Sequence, residues 1–544
     1  MQDYYAVLLD TVSIQRYIFS SNRLKDNIGA SYLVKNIYND PLREALKVVF
    51  PGHVSDDVLI KWEEETDEVC IKDEPGCQVE IGYIGGGNAL LFFREEDRAK
   101  QFIKEWSRNL LFKYPGIQTA VALKALPENY FNDPVAFKES NSILFSSLAE
   151  NKSYYHPSTV IQKHGITTDC RESGNSAEIY KRLSEVESRY ISIVAAKKKD
   201  AAAEADNEMK DRYSEILGDK YAFTSRLDQL GQTRGESHLA VVHIDGNSMA
   251  MRFRATSDLS SYRRLSISVR KATEDAFLDL LSHIINEQIT RLKEPQSGFE
   301  IARDNDDNKA KTIIPLRHIV LGGDDITFVT DGRLGIYFAE KFIEYFSTKT
   351  IDDNKSIAAC AGIAIVKTKY PFFRAYELAE ELCKNAKKKA RLHGAETSWL
   401  DFHIAYGGFS GTVEEIREKH FQVGESSLLF GPYCLNGLSV DDESHLDNLK
   451  SGMSYFRSSW PRSKQKDLRL ALSLGPAACK GMLADLKARG LILPEITAIN
   501  KYQQEGWGES KTPYFDMVEL MEFYPDHCLA ATNNQNSGSG EGGI

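Results

Sequence analysis

RHIVLGGDDITFVT, Arg317 to Thr330, reads as two apolar strands, His318–Leu321 and Ile326–Val329, meeting at a Gly322-Gly323-Asp324-Asp325 tip. Paired glycines reach backbone angles closed to residues with a Cβ, so the turn can be tight and open to a ligand. Asp324 and Asp325 project from that tip. Hard divalent cations such as Mg²⁺ or Mn²⁺ take oxygen ligands, and a pair of them can clamp the attacking and leaving oxygens of a phosphoryl transfer. A third carboxylate is predicted at Asp245, which ends the apolar run LAVVHID (Leu239–Asp245) and precedes Gly246. If this strand pairs with the hairpin, Asp245, Asp324 and Asp325 converge at one sheet edge as catalytic and metal-binding residues. The competing reading makes the Asp pair a polar turn tip, since Asp and Gly are ordinary turn residues.

Context decides between the two. After Asp245 come an amphipathic helix over about Leu265–Leu292, the hairpin, a helix over about Leu334–Phe346, the apolar strand Ile357–Val366 and a helix over about Phe373–Arg391. A βαββαβ order forms an antiparallel sheet with helices on one face, the ferredoxin-like arrangement of polymerase palms and nucleotide cyclases. In the last helix Lys384, Lys387, Lys388 and Arg391 recur at spacings of three, four and seven, which brings several onto one face. Cations placed so could hold a triphosphate, although a basic solvated face has the same pattern.

These residues resemble the polymerase-like large subunit of type III CRISPR effector complexes, and more distantly the GGDEF nucleotide cyclases. Asp245-Gly246-Asn247-Ser248-Met249-Ala250 is similar to the family's DGDNMG, and LGGDD to its hairpin. Ala361–Ala364 with Lys369-Tyr370-Pro371 is similar to its next strand and exit, and AEELCKNAK, Ala379–Lys387, to its helix ending in AK. Asn247, Ser248 and Ala250 depart from the pattern, which bears on nucleotide selectivity more than on metal binding. The resemblance implies a Mg²⁺- or Mn²⁺-dependent nucleotidyltransferase that converts nucleoside triphosphates, ATP favoured, into a cyclic oligonucleotide signal in antiviral defence. Gly246, Asn247, Ser248, Gly322, Gly323, Lys384 and Lys387 would bind the nucleotide, Lys387 at the AK position. RNA and CRISPR-like effector subunits would be partners. The alternative is a non-catalytic nucleotide-binding or RNA-complex scaffold subunit.

The chain also repeats itself. Tyr5–Asp10 (YAVLLD) parallels LAVVHID, Tyr83–Phe93 (YIGGGNALLFF) parallels the hairpin, and Ile117–Leu123 parallels Ile357–Ile363. The acid precedes the hairpin glycines by 75 positions from Asp10 to Gly85 and by 77 from Asp245 to Gly322. The first tip, Gly85-Gly86-Gly87-Asn88, carries no carboxylate, so this copy is predicted to be catalytically silent and to face the second across an acceptor pocket. Ser13–Phe19 and Ile28–Ser31 resemble further segments of the family's first palm. No His-Asp dipeptide occurs, so the family's nuclease activity is not carried over.

The expected fold class is α+β: a degenerate first palm over 1–127, a helical connector over 128–236, the second palm over 237–395 and a mainly helical C-terminal domain over 396–530. The Gly/Ser-rich residues 531–544 are predicted to be disordered, and Asp304–Asn308 to form a solvent loop. The connector's Ala/Lys/Glu-rich run is predicted to be an exposed helix with Lys197–Lys199 on a solvated face. A net charge of -11 opposes a broadly basic nucleic-acid surface but leaves room for a local groove. No apolar run is long enough to span a bilayer, and eight cysteines occur without a CxxC. Both suit a cytoplasmic protein without a disulfide framework or zinc. Oligomerisation is left open.

Overall fold

The computed structural model describes residues 4–55, 57–153, 166–183, 187–230, 237–304, 310–407, 411–439, 442–496, 500–508 and 510–529. Of the expected loop, Asp304 instead belongs to the short strand Arg303–Asp304; the rest of it and the 531–544 tail lie outside these residues.

Four strands form the first sheet: β1 (Tyr4–Val12), β2 (Val79–Gly85), β3 (Asn88–Phe93) and β4 (Gln118–Leu126). Helix α1 (Leu24–Asn36) lies in the β1–β2 crossover, and α2 (Glu96–Lys113) joins β3 to β4. The strand order β2-β3-β1-β4, antiparallel throughout, is the ferredoxin-like topology expected for this copy. Helix α3 (Pro134–Ser153) follows it.

The connector departs from its predicted exposure. Its helix α4 (Ile193–Arg212) packs along α1, burying Ala195, Ala196, Ala201, Ala202 and Lys198. The approach is close enough that a Cβ on Gly29 would lie 1.8 Å from the Lys198 carbonyl oxygen. The Lys198 ammonium donates to the Tyr17 carbonyl at 2.5 Å and to Ser20 Oγ at 2.8 Å, and Lys199 pairs with buried Asp26 at 2.7 Å. Small residues let two helix backbones meet, and the lysines are satisfied inside the joint instead of in water. Burial lowers the Lys198 pKa to about 8.

The second sheet is built on β5 (His238–Gly246), followed by α5 (Leu259–His283), β6 (Leu316–Gly322), β7 (Asp325–Asp331), α6 (Gly335–Ser347), β8 (Ala359–Lys367) and α7 (Phe372–His393). Its first four strands run in the order β6-β7-β5-β8, the same topology again. A π-helical turn over Ile284–Gln288 continues α5 into Ile289–Leu292, so the predicted helix exists with one irregular turn.

Two features correct the sequence-based picture. The sheet is covered on both faces: Ala240, Val242 and Ile244 of β5 pack with α5 and α6, while Leu239 and Val241 pack with Phe372, Ala375 and Ala379 of α7. A run apolar at every position signals this two-sided burial. Gly362 permits it locally, since a Cβ there would lie 1.9 Å from the Ala379 carbonyl oxygen. The sheet also does not stop near residue 395. Strand β9 (Ser398–Ala405) adds parallel to β8, and β10 (Tyr433–Asn436) adds antiparallel to β9. Helices then dominate, with α8 (Leu446–Ser459), α9 (Arg462–Ser473) and α10 (Pro476–Ala488) sharing a core continuous with that of the second sheet.

Arginines on α5 join the two palms. Buried Arg263 donates to the carbonyls of Gly82 at 2.8 Å, Ile81 at 2.7 Å and Glu68 at 2.7 Å, and to the Glu80 carboxylate at 2.8 Å. Arg264 pairs with Asp67, and Arg270 forms two bonds with Glu63 at 2.9 and 2.5 Å. Such charge-assisted forks fix geometry as well as contribute energy. Among the described residues no helix is long and apolar enough to cross a membrane, and all eight cysteines are free thiols.

Candidate active site

The acids meet because of strand register. In the β5–β7 ladder Asp245 pairs with Asp325, Ile244 with Ile326 and Val242 with Phe328. This places the end of β5 beside the hairpin tip. Gly323 has φ +61, the left-handed region that favours glycine, and turns the chain so that Asp324 reaches over β5. The Gly246 N–H donates to the Asp324 carbonyl at 3.0 Å, and Thr273 Oγ1 of α5 donates to the Gly323 carbonyl at 2.7 Å. The tip is therefore held from both sides.

A cleft of about 670 Å³ opens here. Asp245, Gly246, Asn247, Ser248, Gly323, Asp324 and Lys387 line it, as the sequence pattern predicts. Across from them stand Gly85, Gly86 and Asn88 of the first palm's hairpin. The two palms thus face one another at their hairpin tips.

Three predicted site residues lie off the lining of the cleft. Asp325, Gly322 and Lys384 are not among the residues lining the cleft. Adjacent residues at a strand end diverge, and it is Asp324, out of the ladder, that reaches the cleft. Lys384 instead pairs with Glu380 at 2.8 Å, one turn away on its own helix. The four-residue spacing that suggested a phosphate-binding face also satisfies this local ion pair.

The electrostatics are those of crowded carboxylates. Burial, then the neighbouring Asp245 carboxylate, pushes the Asp324 pKa up to about 7. Asp325 is held well above the usual carboxylate range by burial, then by Asp324 and Asp245. Lys387 Nζ lies 2.6 Å from Asp245 Oδ2 and donates to the Gly246 carbonyl at 3.0 Å. Asp245, Asp324 and the Gly246 carbonyl make an all-oxygen donor set with excess negative charge, which fits Mg²⁺ or Mn²⁺. Like charges that hold a proton near neutrality gain most from a divalent cation in its place.

Asn247, standing where the resemblance would place a second Asp, is buried and structural. Its N–H donates to the Ala358 carbonyl at 2.8 Å and its Nδ2 to the Thr397 carbonyl at 2.9 Å, tying the β5 exit to β8 and β9. Ser248, at φ +59, starts the short helix Met249–Ala255.

The sequence pattern did not single out Tyr83, Tyr262, Ser266 or Arg270, all of which line the cleft. Tyr83 and Tyr262 pack ring against ring at 4.7 Å across the palm–palm joint. The one sequence signal for the α5 residues is their spacing: Tyr262, Ser266 and Arg270 recur every four positions on one helical face.

The first palm repeats the plan without the acids of the hairpin tip. Asp10 pairs with Asn88 in the β1–β3 ladder, at the position where Asp245 meets Asp325. Lys152 of α3 lies 2.5 Å from Asp10 Oδ2, as Lys387 lies beside Asp245.

Residues 238–393 match the family model of Cas10/Cmr2, second palm domain. No curated protein matches the chain in sequence. The fold is similar to that of Csm1 from T. onnurineus, at 12% identity and a TM-score of 0.52 over 96% of this chain and 70% of that one. It is similar too to a Csm1–Csm4 cassette in complex with AMPPNP, at 13% identity, a TM-score of 0.51 and coverage of 96% and 69%. A cassette in complex with cA3 matches at 11% identity with a TM-score of 0.50 over 96% and 69%.

Proposed function

We propose, taking residues 238–393 as a second palm of the Cas10/Cmr2 type, that the protein is a nucleotidyltransferase making cyclic oligonucleotides from nucleoside triphosphates, ATP favoured, in antiviral defence. The observation that carries this is the convergence of Asp245 and Asp324 on a cleft that also holds Lys387 and the opposing hairpin. In the reaction a 3′-hydroxyl oxygen bonds to an α-phosphorus, the bond from that phosphorus to the bridging oxygen breaks, and pyrophosphate leaves. The hydroxyl proton passes to solvent.

Divalent cations held by Asp245, Asp324 and the Gly246 carbonyl would offset the charge that develops on the reacting oxygens. Lys387 and Arg391, which line the cleft from α7, are placed to take triphosphate oxygens. The glycines at both tips keep side chains away from the reacting groups. The first palm positions the acceptor and contributes no hairpin acid, since Gly87 stands where the second palm has Asp324. Asp325, paired with Asp245 in the strand ladder, is pushed towards its neutral form by burial and by its two acidic neighbours, which limits the charge there. The complexes with AMPPNP and cA3 formed by proteins of this fold support the substrate and product class.

Incubating the purified protein with each triphosphate and Mg²⁺ or Mn²⁺, then resolving products by mass, tests the reading. Cyclic adenosine oligomers absent from an Asp324→Ala variant are the expected result; no product under any activating condition would sink it. Two of the matching folds occur in Csm1–Csm4 cassettes, which favours an effector partner of the Csm4 kind for this chain as well. Co-purification with such a subunit tests that part.

A further inference from the structure

Lys387 reaches from α7 to the exit of β5, where its Nζ stands 2.6 Å from Asp245 Oδ2 and 3.0 Å from the Gly246 carbonyl oxygen. Both oxygens belong to the donor set assigned above to a divalent cation. A Mg²⁺ ion draws its oxygens to about 2.0–2.1 Å and keeps a compact shell around itself. An ammonium at hydrogen-bond distance from the same two oxygens fills that position. Lys387 and the ion therefore compete for the same two oxygens.

Three neighbouring cations are engaged with other groups. Lys384 is paired with Glu380, Lys388 with Asn385 Oδ1, and Arg270 with Glu63. Lys387 is the cation that acts on Asp245, Asp324 and Asp325 together. It also has an alternative anion within reach: a triphosphate in the cleft would lie between Lys387 and Arg391, one helical turn further along α7. A flexible four-carbon stem lets an ammonium move between two anionic partners without disturbing the helix.

We propose that Lys387 is an exchangeable internal counter-ion: it competes with the divalent cation for Asp245 and the Gly246 carbonyl, and a nucleoside triphosphate opens the metal site by drawing the ammonium onto its phosphates. The inference rests on the nucleotidyltransferase reading of this site. Its consequence is order. Metal alone binds weakly, metal with nucleotide binds well, and the two strengthen one another by linkage beyond what their own chelation supplies.

The test measures Mn²⁺ binding to the full-length protein by the electron paramagnetic resonance signal of the free ion, with and without AMPPNP. Asp245→Asn marks binding that depends on this site. Lys387→Met is expected to bind Mn²⁺ about tenfold tighter than the parent without nucleotide, and to gain less from AMPPNP. Lys387→Arg, which keeps the charge, is expected to stay as weak as the parent. Lys387→Gln repeats the comparison if the Met variant does not fold. Unchanged or weaker Mn²⁺ binding in a folded, charge-removed variant overturns the inference, while an Asp245-dependent Mn²⁺ site in the same experiment leaves the nucleotidyltransferase reading standing. Absence of any Asp245-dependent Mn²⁺ binding, with AMPPNP present, overturns both.

Discussion

Gly323 of the second palm and Gly86 of the first meet tip to tip: a Cβ built on Gly323 would lie 3.9 Å from the Gly86 Cα. The two hairpins are therefore opposite walls of one cleft, and a side chain added to either intrudes on it.

Gly86→Gln tests that relationship. Around Gly86 the nearest atom to an added Cβ is Asn88 Nδ2 at 3.9 Å, so the variant has room to fold. Its φ of +59 adds a strain of about 1–2 kcal/mol. Acceptor use is expected to fall at least about tenfold while donor triphosphate affinity stays within about twofold, because Asp324 and Lys387 are untouched. Product formation equal to the parent at every triphosphate concentration would show that the acceptor is held elsewhere.

Asp10→Ala and Asp245→Ala occupy matching strand positions and should behave differently. Asp245 lines the cleft and is placed to hold metal, so its loss should lower turnover by at least about 100-fold. Asp10 is engaged with Lys152, and its loss should cost stability more than rate. Rate constants for both variants, corrected for the folded fraction, decide; equal losses would give the first palm a catalytic acid.

The pH dependence of stability follows from Asp324. Its folded pKa, raised from 3.8 to about 7, exceeds its unfolded value, so the native state binds more protons between those limits. Stability from this group is present below about pH 4 and declines as pH rises to about 7, by an amount on the order of 2–4 kcal/mol. Denaturant midpoints in chelator should therefore fall from pH 5 to pH 7.5, and Asp324→Asn should flatten the slope. Mn²⁺ together with AMPPNP should restore the parent at pH 7.5 and act far less on the variant. A parent midpoint that is flat across this range contradicts the account.

Arg263→Met removes the strut between palms. It strands the Glu80 carboxylate and three backbone carbonyls, a loss of about 3–5 kcal/mol for a buried charge partner. Chemical denaturation should show that loss, with the first palm melting separately from the second. Lys at this position should rescue only part, since one ammonium cannot reproduce the fork. A single transition at the parent midpoint would mean the joint depends on other contacts.

Much of the site was legible before any coordinates. An apolar run ending in Asp245, a hairpin tip carrying Asp324 and a helix carrying Lys387 in its second half follow from local pattern, and the βαββαβ order brings them together. The boundaries of the last helix and the last palm strand fall within about two residues of those expected. The repeat showed that there are two palms, and the absence of carboxylates in Gly85–Asn88 showed which one holds the acids.

Other decisions belong to the tertiary structure. Which of two adjacent acids enters the cleft depends on where the β7 ladder ends, and the register leaves Asp324 free of it while Asp325 pairs with Asp245. Composition marks Lys197–Lys199 as surface, yet Lys198 is buried because Gly29 lets α1 approach α4, a contact between residues far apart in the chain. Lys384 and Lys387 look alike in sequence; Glu380 holds one, and Asp245, from another strand, claims the other. Local periodicity is set by neighbours within a few positions, so the amino-acid sequence by itself determined the elements and the chemistry at their ends. Pairings across long loops depend on the summed packing of whole faces, and these alone decided which charges meet.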